Sequence, residues 1–261
     1  MGAQRFSLDG KLIAMTGAAG ILGQGAVAAF LEAGARVCAL DRTEADLQRL
    51  GTHERLLAIP TDVSDAASVR AAADRLDATW GVADVLFNNA ATKSENFFAP
   101  FEDFPLEDWN AVLAVNLTGA MLCAQAFGAP MARRGRGAIV NTLSIYGIVA
   151  PDQRIYEGSE YLGRPINTPA IYSASKAGLW GLTQYLASYW GGRGVRVNAI
   201  TPGGVFSGQN ETFVGNYSQR VPLGRMATRE DIVNGMVFLA SDASSYLNGH
   251  NLVVDGGWTV W

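Results

Sequence analysis

The chain has 261 residues, of which 49% are hydrophobic and 17% charged, and its 20 basic and 24 acidic residues give a net charge of −4. This composition is typical of a folded globular protein and excludes a disordered chain. No basic stripe recurs, which excludes nucleic acid as an expected partner. The first residues lack the apolar centre of a signal peptide and no apolar run is predicted to span a bilayer, so we expect a cytoplasmic protein without a membrane partner.

Metal and disulfide chemistry are not expected. The two histidines, His53 and His250, are far apart and lie in no metal-ligand spacing, so no metal site is predicted. Cys38 and Cys123 each lie within an apolar run, which favours buried free thiols over a disulfide framework.

Seven apolar, strand-like runs alternate with helix-like stretches. The strands are predicted at residues 12–17, 36–41, 56–63, 84–90, 137–144, 194–203 and 251–257. Helices are predicted after the first run, from the N-cap Thr43, from Ser64 or Asp65 to Trp80, over 106–134, from Pro169 to about Trp190, and over 229–241. This alternation predicts a single Rossmann-type α/β domain over residues 1–261, with a doubly wound parallel sheet of about seven strands and helices on both faces.

A glycine-rich loop, TGAAGILG (16–23), joins the first strand to the first helix. In that context it predicts a dinucleotide site: Gly17 permits the tight turn, Gly20 lets the backbone approach a pyrophosphate, and Gly23 lets helix and strand pack closely. The helix, which begins around Ile21 and Leu22, offers free N–H groups to the phosphates. The alternative is a tight turn that binds no ligand.

Asp41 ends the second strand, 18 residues after Gly23. A carboxylate at that place accepts hydrogen bonds from the adenosine ribose and repels a 2′-phosphate, so NAD is favoured as cofactor over NADP. Arg42 instead favours NADP, because an arginine there can accommodate the 2′-phosphate. Asp41 could instead be a helix cap.

Several short motifs follow one another along the chain, namely TGAAGILG, Asp62-Val63, Asn88-Asn89-Ala90, Asn116 in AVNLTG, Ser144, Tyr172-Ser173-Ala174-Ser175-Lys176 and Pro202-Gly203. In order and spacing they resemble the short-chain dehydrogenase/reductase family over essentially the whole chain. Two departures are visible. The glycine spacing is TGxxGxxG, which is similar to the larger sugar-nucleotide branch, and Ala91 replaces the glycine that commonly follows Asn-Asn-Ala.

Tyr172 and Lys176 lie four residues apart on a predicted helix and therefore share a face. A lysine ammonium beside a tyrosine favours the phenolate, which makes Tyr172 a candidate acid/base at an alcohol oxygen. Ser144 would hydrogen-bond the substrate oxygen. The resemblance implies that Lys176 also binds the nicotinamide ribose and that Asn116 positions a water in a proton relay. A pair with this spacing could also be surface decoration.

The resemblance assigns the remaining cofactor contacts as well. It implies that Asp62 and Val63 hold the adenine end and that Asn89 and Ala90 line the adenosine side of the groove. It also implies that the segment after Pro202 and Gly203, with Val205 as a contact, covers the nicotinamide amide.

The substrate side is expected in two loops, at about 145–171 and 203–222. Tyr172 follows Ser144 by 28 positions, which is longer than the family's usual spacing. This insertion is similar to those of carbohydrate-acting relatives, although it could be a flap without a substrate role. Candidate substrate residues are Ser144, Tyr146, Arg154, Arg164, Tyr172 and Gln209, the two arginines for an acidic substituent.

The leading hypothesis is an NAD-dependent oxidoreductase of a sugar, sugar acid or polyol. The alternatives are an NADP-dependent carbonyl or 3-oxoacyl-type reductase and, in another class, a non-catalytic dinucleotide-binding sensor or scaffold. The resemblance implies a homotetramer, with a dimer as the alternative.

Overall fold

A seven-stranded parallel sheet organises the protein, whose computed structural model describes residues 6–161 and 163–261. Its strands are β1 (Leu12–Thr16), β2 (Arg36–Asp41), β3 (Leu56–Pro60), β4 (Val85–Asn88), β5 (Gly137–Thr142), β8 (Val195–Pro202) and β9 (Asn251–Val254). They lie in the order β3-β2-β1-β4-β5-β8-β9. The predicted fold class and strand number are confirmed.

Helices cover both faces of this sheet. They are α1 (Ile21–Glu32), α2 (Glu44–Gln48), α3 (Ala66–Trp80), α4 (Leu106–Leu113), α5 (Gly119–Cys123), α6 (Ala129–Arg134), α7 (Ala170–Gly191), α8 (Glu211–Gln219) and α9 (Arg229–Ala240). Successive side chains of a strand point to opposite faces, and β1 obeys this rule. Leu12 and Ala14 pack with α3 and α7, whereas Ile13 and Met15 pack with α1 and α9.

The helices α4, α5 and α6 form one continuous helix, Leu106–Arg134, interrupted by two π-helical turns at Ala114–Thr118 and Ala124–Gly128. By length and composition alone this helix could cross a membrane, so the expectation that no run is long enough is wrong on that measure. Core helices of soluble proteins pass the same test, and 44% of its apolar window is buried. Cys123, Phe127 and Met131 belong to the core beneath the sheet.

The two expected substrate loops contain regular structure that the sequence pattern did not predict. The first carries a short antiparallel pair, β6 (Glu160–Tyr161) with β7 (Arg164–Pro165), and the second carries α8. Asn210 begins α8 by accepting the N–H of Phe213 at 2.8 Å. The two inward residues of α8, Phe213 and Tyr217, are spaced by one turn among polar neighbours, which weakens the helical signal.

The predicted caps and thiols are found in the structure. Thr43 is the N-cap of α2, and Asp65 rather than Ser64 caps α3. Cys38 and Cys123 are free and buried.

Candidate active site

The sequence motifs meet at one edge of the sheet, where the strands end. Strands β2 and β3 lie on one side of β1, whereas β4 and β5 lie on the other side. The strand order therefore reverses between β1 and its neighbour β4. Ligands of open parallel sheets bind at such a switch point, beyond the carboxyl ends of the strands. Gly17, Asp41, Asn89 and Ser144 all follow or end strands at this edge.

The glycine loop packs tightly against its neighbours because its glycines lack side chains. Gly17 has φ +63°, and a Cβ there would lie 2.8 Å from the Ala90 Cα. A Cβ on Gly23 would lie 2.1 Å from the Gly17 carbonyl oxygen, so helix α1 can pack this closely only on glycine. Gly20 is the N-cap of α1 and offers no side-chain cap. The uncapped helix N-terminus beside a tight turn fits a pyrophosphate.

Asp41 binds the glycine loop instead of capping a helix. Its Oδ2 accepts the N–H of Ala19 at 2.8 Å, and its Oδ1 accepts the N–H of Arg42 at 2.8 Å. Thr43 caps the following helix, so the capping alternative for Asp41 is wrong. The carboxylate therefore lies against the loop that would hold the dinucleotide.

Asp62 and Val63 lie beyond β3. Hydrogen bonds from the Ser64 side chain and backbone hold the pKa of the Asp62 carboxyl below its usual range, and the nearby Arg42 cation acts in the same direction. Val63 is buried against Gly119, where a Cβ would come within 3.0 Å of its side chain. The exposed Asp62 and Arg42 form the polar rim of this side of the edge.

Asn89 fixes the glycine loop to β4. Its Nδ2 donates to the carbonyls of Thr16 at 3.2 Å and Gly17 at 3.1 Å. The hydroxyl of Thr16 accepts the N–H groups of Asn89 at 3.0 Å and Ala90 at 3.1 Å and donates to the Phe87 carbonyl at 3.3 Å. Thr16 was missed as a site residue, although its place before Gly17 was the available signal. Cofactor contact by Asn89 and Ala90 stays a prediction.

The segment after β8 is held from two sides. Pro202 ends β8, and the N–H of Gly203 donates to the Val254 carbonyl at 2.9 Å. The N–H of Gly204 donates to the Tyr217 hydroxyl in a short bond, and Val205 pairs with Ala227. Their predicted contact with the nicotinamide remains a prediction.

Lys176 is a buried cation at the centre of the edge. Its side chain is on α7, only 3% of the residue is exposed, and Nζ donates to the Thr142 carbonyl at 2.7 Å. Burial lowers the pKa of Lys176 to about 8. Burying a lysine costs free energy, and a strongly perturbed pKa at such an edge makes Lys176 a candidate functional residue.

Tyr172 lies one turn before Lys176, beside Ser144. Burial raises the pKa of the Tyr172 hydroxyl, and a hydrogen bond with Ser144 opposes that rise. Ser144 also accepts the N–H of Tyr146 at 3.3 Å, which caps a short turn and fixes its position. Lys176 is not among the groups that act on the Tyr172 pKa, so the expected lowering by Lys176 is not found.

Asn116 connects three parts of the site. It lies in the first π-helical turn and is 1% exposed. Its Oδ1 accepts the Thr92 N–H at 3.0 Å, and its Nδ2 donates to the Ser175 hydroxyl at 3.3 Å. Ser175 in turn donates to the Tyr172 carbonyl at 2.9 Å. Thr92 and Ser175 were missed, and π-turns of this kind are often found at functional sites.

An aromatic cluster encloses the Tyr172 side. It combines residues of the insertion, of α8 and of the chain end, namely Tyr146, Tyr156, Phe213, Tyr217 and Trp258. Tyr217 stacks on Trp258 with ring centroids 4.4 Å apart. Burial, reinforced by Tyr156, raises the pKa of Tyr146 far above its usual range, so its phenol stays neutral. Tyr146 thus lies in the same cluster as Tyr172, and its predicted substrate contact stays a prediction.

The structure does not bring the other predicted substrate residues to Tyr172. Arg154 forms two 2.8 Å bonds with Asp152 and its side chain is 76% exposed. Arg164 is exposed on β7. Gln209 donates to the Val205 carbonyl and the Ser207 hydroxyl, both at 3.1 Å, within its own loop. A substrate role for these three residues stays a prediction.

Among the residues that the structure describes, no group of three or more His, Cys, Asp or Glu side chains could hold a metal ion.

Comparison with known proteins agrees with this geometry. A family model described as enoyl-(acyl carrier protein) reductase matches residues 17–259. The chain is 39% identical over 273 residues to D-threitol dehydrogenase of Mycolicibacterium smegmatis, covering 98% of this chain and 95% of the relative.

Two solved structures share the fold over nearly all of both chains. A short-chain dehydrogenase from Leptospira borgpetersenii with bound NAD+ is 35% identical with a TM-score of 0.87, covering 99% of this chain and 96% of that one. A gluconate 5-dehydrogenase from Burkholderia cenocepacia in complex with NADP and tartrate is 31% identical with a TM-score of 0.88, covering 100% of both. The chain belongs to the short-chain dehydrogenase/reductase family, and it is an oxidoreductase that acts on CH–OH groups with a nicotinamide dinucleotide.

Proposed function

We propose that this protein is an NAD-dependent dehydrogenase of a sugar, sugar acid or polyol, with Tyr172 as its acid/base. The observation that carries the proposal is the set of buried Ser144, buried Lys176 and partly buried Tyr172 at the same sheet edge as an uncapped helix N-terminus. Relatives named for D-threitol and gluconate support a hydroxyl-rich substrate.

The residues divide the chemistry among them. Bound nicotinamide supplies the hydride acceptor or donor. Tyr172 takes the proton from the alcohol oxygen or returns it, and Ser144 hydrogen-bonds the same oxygen. Lys176 supplies a positive charge in a water-poor setting, where electrostatic interactions are stronger than in water. Asn116 and Ser175 hold α7 in place, so that Tyr172 keeps its geometry.

Cofactor choice depends on Asp41 and Arg42. We expect at least about tenfold faster turnover with NAD+ than with NADP+, since a 2′-phosphate beside the Asp41 carboxylate costs 1.4 kcal/mol or more. In Asp41→Asn that preference should shrink because the repulsive charge is gone. Initial rates with both cofactors measure it. Faster turnover of the unaltered protein with NADP+ would show that Arg42 dominates.

The substrate class is tested by NAD+ reduction with D-threitol, galactitol, gluconate and simple hydrophobic alcohols. Activity with at least one of the hydroxyl-rich compounds is the expected result. Activity confined to hydrophobic alcohols, or found only as NADPH-dependent reduction of a 3-oxoacyl compound, would contradict the proposal and favour the carbonyl-reductase alternative.

We also propose a cytoplasmic homotetramer. The long helix Leu106–Arg134 is apolar, and α7 exposes the stacked rings of Tyr185 and Tyr189, so both offer surface for subunit contacts. Light scattering should give four times the mass of one chain. A monomer would contradict this, and a dimer would leave one of the two surfaces without a role.

A further inference from the structure

A cavity lies beside the active site and is not used by the chemistry described above. This side groove, of about 870 Å³, is walled by the insertion, by the start of α7 and by the start of the long helix. Its aromatic lining residues are Phe101, Phe104, Trp109 and Tyr156. Tyr172 and Ser144, which hold the reacting atoms, do not line it.

Three residues that line this groove each carry a buried polar atom without a partner among the described residues. These atoms are the hydroxyl of Ser159, the hydroxyl of Ser173 and the Oδ1 of Asn167, and Ser159 is only 3% exposed. The Nδ2 of Asn167 donates to the Phe98 carbonyl at 3.0 Å, which identifies Oδ1 as the free acceptor. A buried polar atom without a partner costs about 1–3 kcal/mol. Three of them around one cavity indicate that a polar ligand satisfies them.

The charge of the groove restricts that ligand. Glu157 and Glu160 are among its lining residues, and none of the described lining residues is a lysine or arginine. An anionic sugar acid or phosphate would meet repulsion without a compensating cation. A neutral molecule with several hydroxyls fits the free hydrogen-bonding atoms, and its C–H surfaces fit the aromatic walls.

Tyr156 separates the groove from the catalytic residues. Its hydroxyl forms a short hydrogen bond with Thr168, and its ring stacks on Phe213 at 5.5 Å. Tyr156 lines the groove and also belongs to the aromatic cluster around Tyr172. We propose that the side groove is a separate binding site for a neutral polyol or sugar, walled off from the reacting atoms by Tyr156 and Thr168.

Equilibrium binding of galactitol to the full chain tests this, with galactonate as the probe that differs by a carboxylate. Calorimetry or ligand-observed NMR should detect the binding of galactitol. The affinity for galactonate should be at least about tenfold lower. Ser159→Ala and Trp109→Ala should each lower the affinity for galactitol about tenfold or more, because the first removes one hydrogen bond and the second removes one aromatic contact. Ser159→Ala should not lower the melting temperature, because it removes an unpartnered hydroxyl.

Two controls separate this site from the catalytic one. Ser94→Ala removes another buried, unpartnered hydroxyl that does not line the groove, and it should leave galactitol binding unchanged. Ser144→Ala should slow turnover while galactitol binding persists. The result is independent of the proposed dehydrogenase activity, because binding is read without turnover.

Five results would overturn the proposal. Four of them concern binding: no galactitol binding at all, binding unchanged in both groove variants, binding abolished by Ser144→Ala, and galactonate bound as tightly as galactitol. The fifth is a change of oligomeric mass in Trp109→Ala, which would assign the groove to a contact between subunits.

Discussion

Replacing Tyr172 by phenylalanine is expected to lower kcat/KM by about a thousandfold or more while NAD+ binding is retained. The variant keeps the ring in the aromatic cluster and removes only the hydroxyl that moves the proton. Positioned acid/base groups accelerate reactions by about 10²–10⁴-fold. Steady-state rates and cofactor titration measure the two effects separately.

Tyr185→Phe is the matched control for this variant. Tyr185 lies on the same helix α7 but is 61% exposed, so the same chemical change there should leave kcat/KM within about twofold. A Tyr172→Phe enzyme that kept a tenth of its activity would refute the acid/base role. It would also revive the hypothesis of a dinucleotide-binding protein whose tyrosine is structural.

The main strands were predictable because each is a continuous apolar run, as strands covered on both faces must be. Strand β5 ends two residues earlier than predicted, since Ser144 leaves the sheet to cap a short turn. Helix α8 was not predictable from pattern, because Phe213 and Tyr217 are its only buried residues. Their partners, Tyr156 and Trp258, come from distant parts of the chain.

The placement of the candidate catalytic residues was predictable because Tyr172 and Lys176 share a helical face and match the motif of the family. The residues that hold them were not. Thr92 and Ser175 act through Asn116, a contact between three elements that no local spacing records. The direction in which the Tyr172 pKa is shifted could not be predicted from the sequence either, because it depends on how far the fold buries the hydroxyl.

Lys176→Met is expected to abolish measurable turnover and, at pH 7, to leave the protein at least as stable as the unaltered chain. Burial lowers the pKa of Lys176 from 10.5 to about 8, so keeping its charge costs the folded state about 3 kcal/mol at neutral pH. The hydrogen bond to the Thr142 carbonyl, worth about 1 kcal/mol, offsets part of that cost. Methionine fills similar space without a charge.

The stability difference between Lys176→Met and the unaltered protein is expected to depend on pH. Below pH 8 the lysine is protonated in both the folded and the unfolded chain, and the cost of burying its charge is constant. Between about pH 8 and 10.5 the unfolded chain still binds a proton that the folded chain has released, so the unaltered protein gains stability as pH rises. The stability advantage of Lys176→Met should therefore shrink between pH 7 and pH 10.

Thermal unfolding at pH 7 and pH 10 measures this difference, with Lys11→Met as the control. Lys11 pairs with Asp242 at 2.8 Å outside the site, so its loss should change the melting temperature little and equally at both pH values. If Lys176→Met melted several degrees lower at pH 7, the ammonium would be a net stabilising group. The ammonium would then be explained by its contribution to the stability of the fold. Its burial could no longer be explained as a loss of stability that serves catalysis.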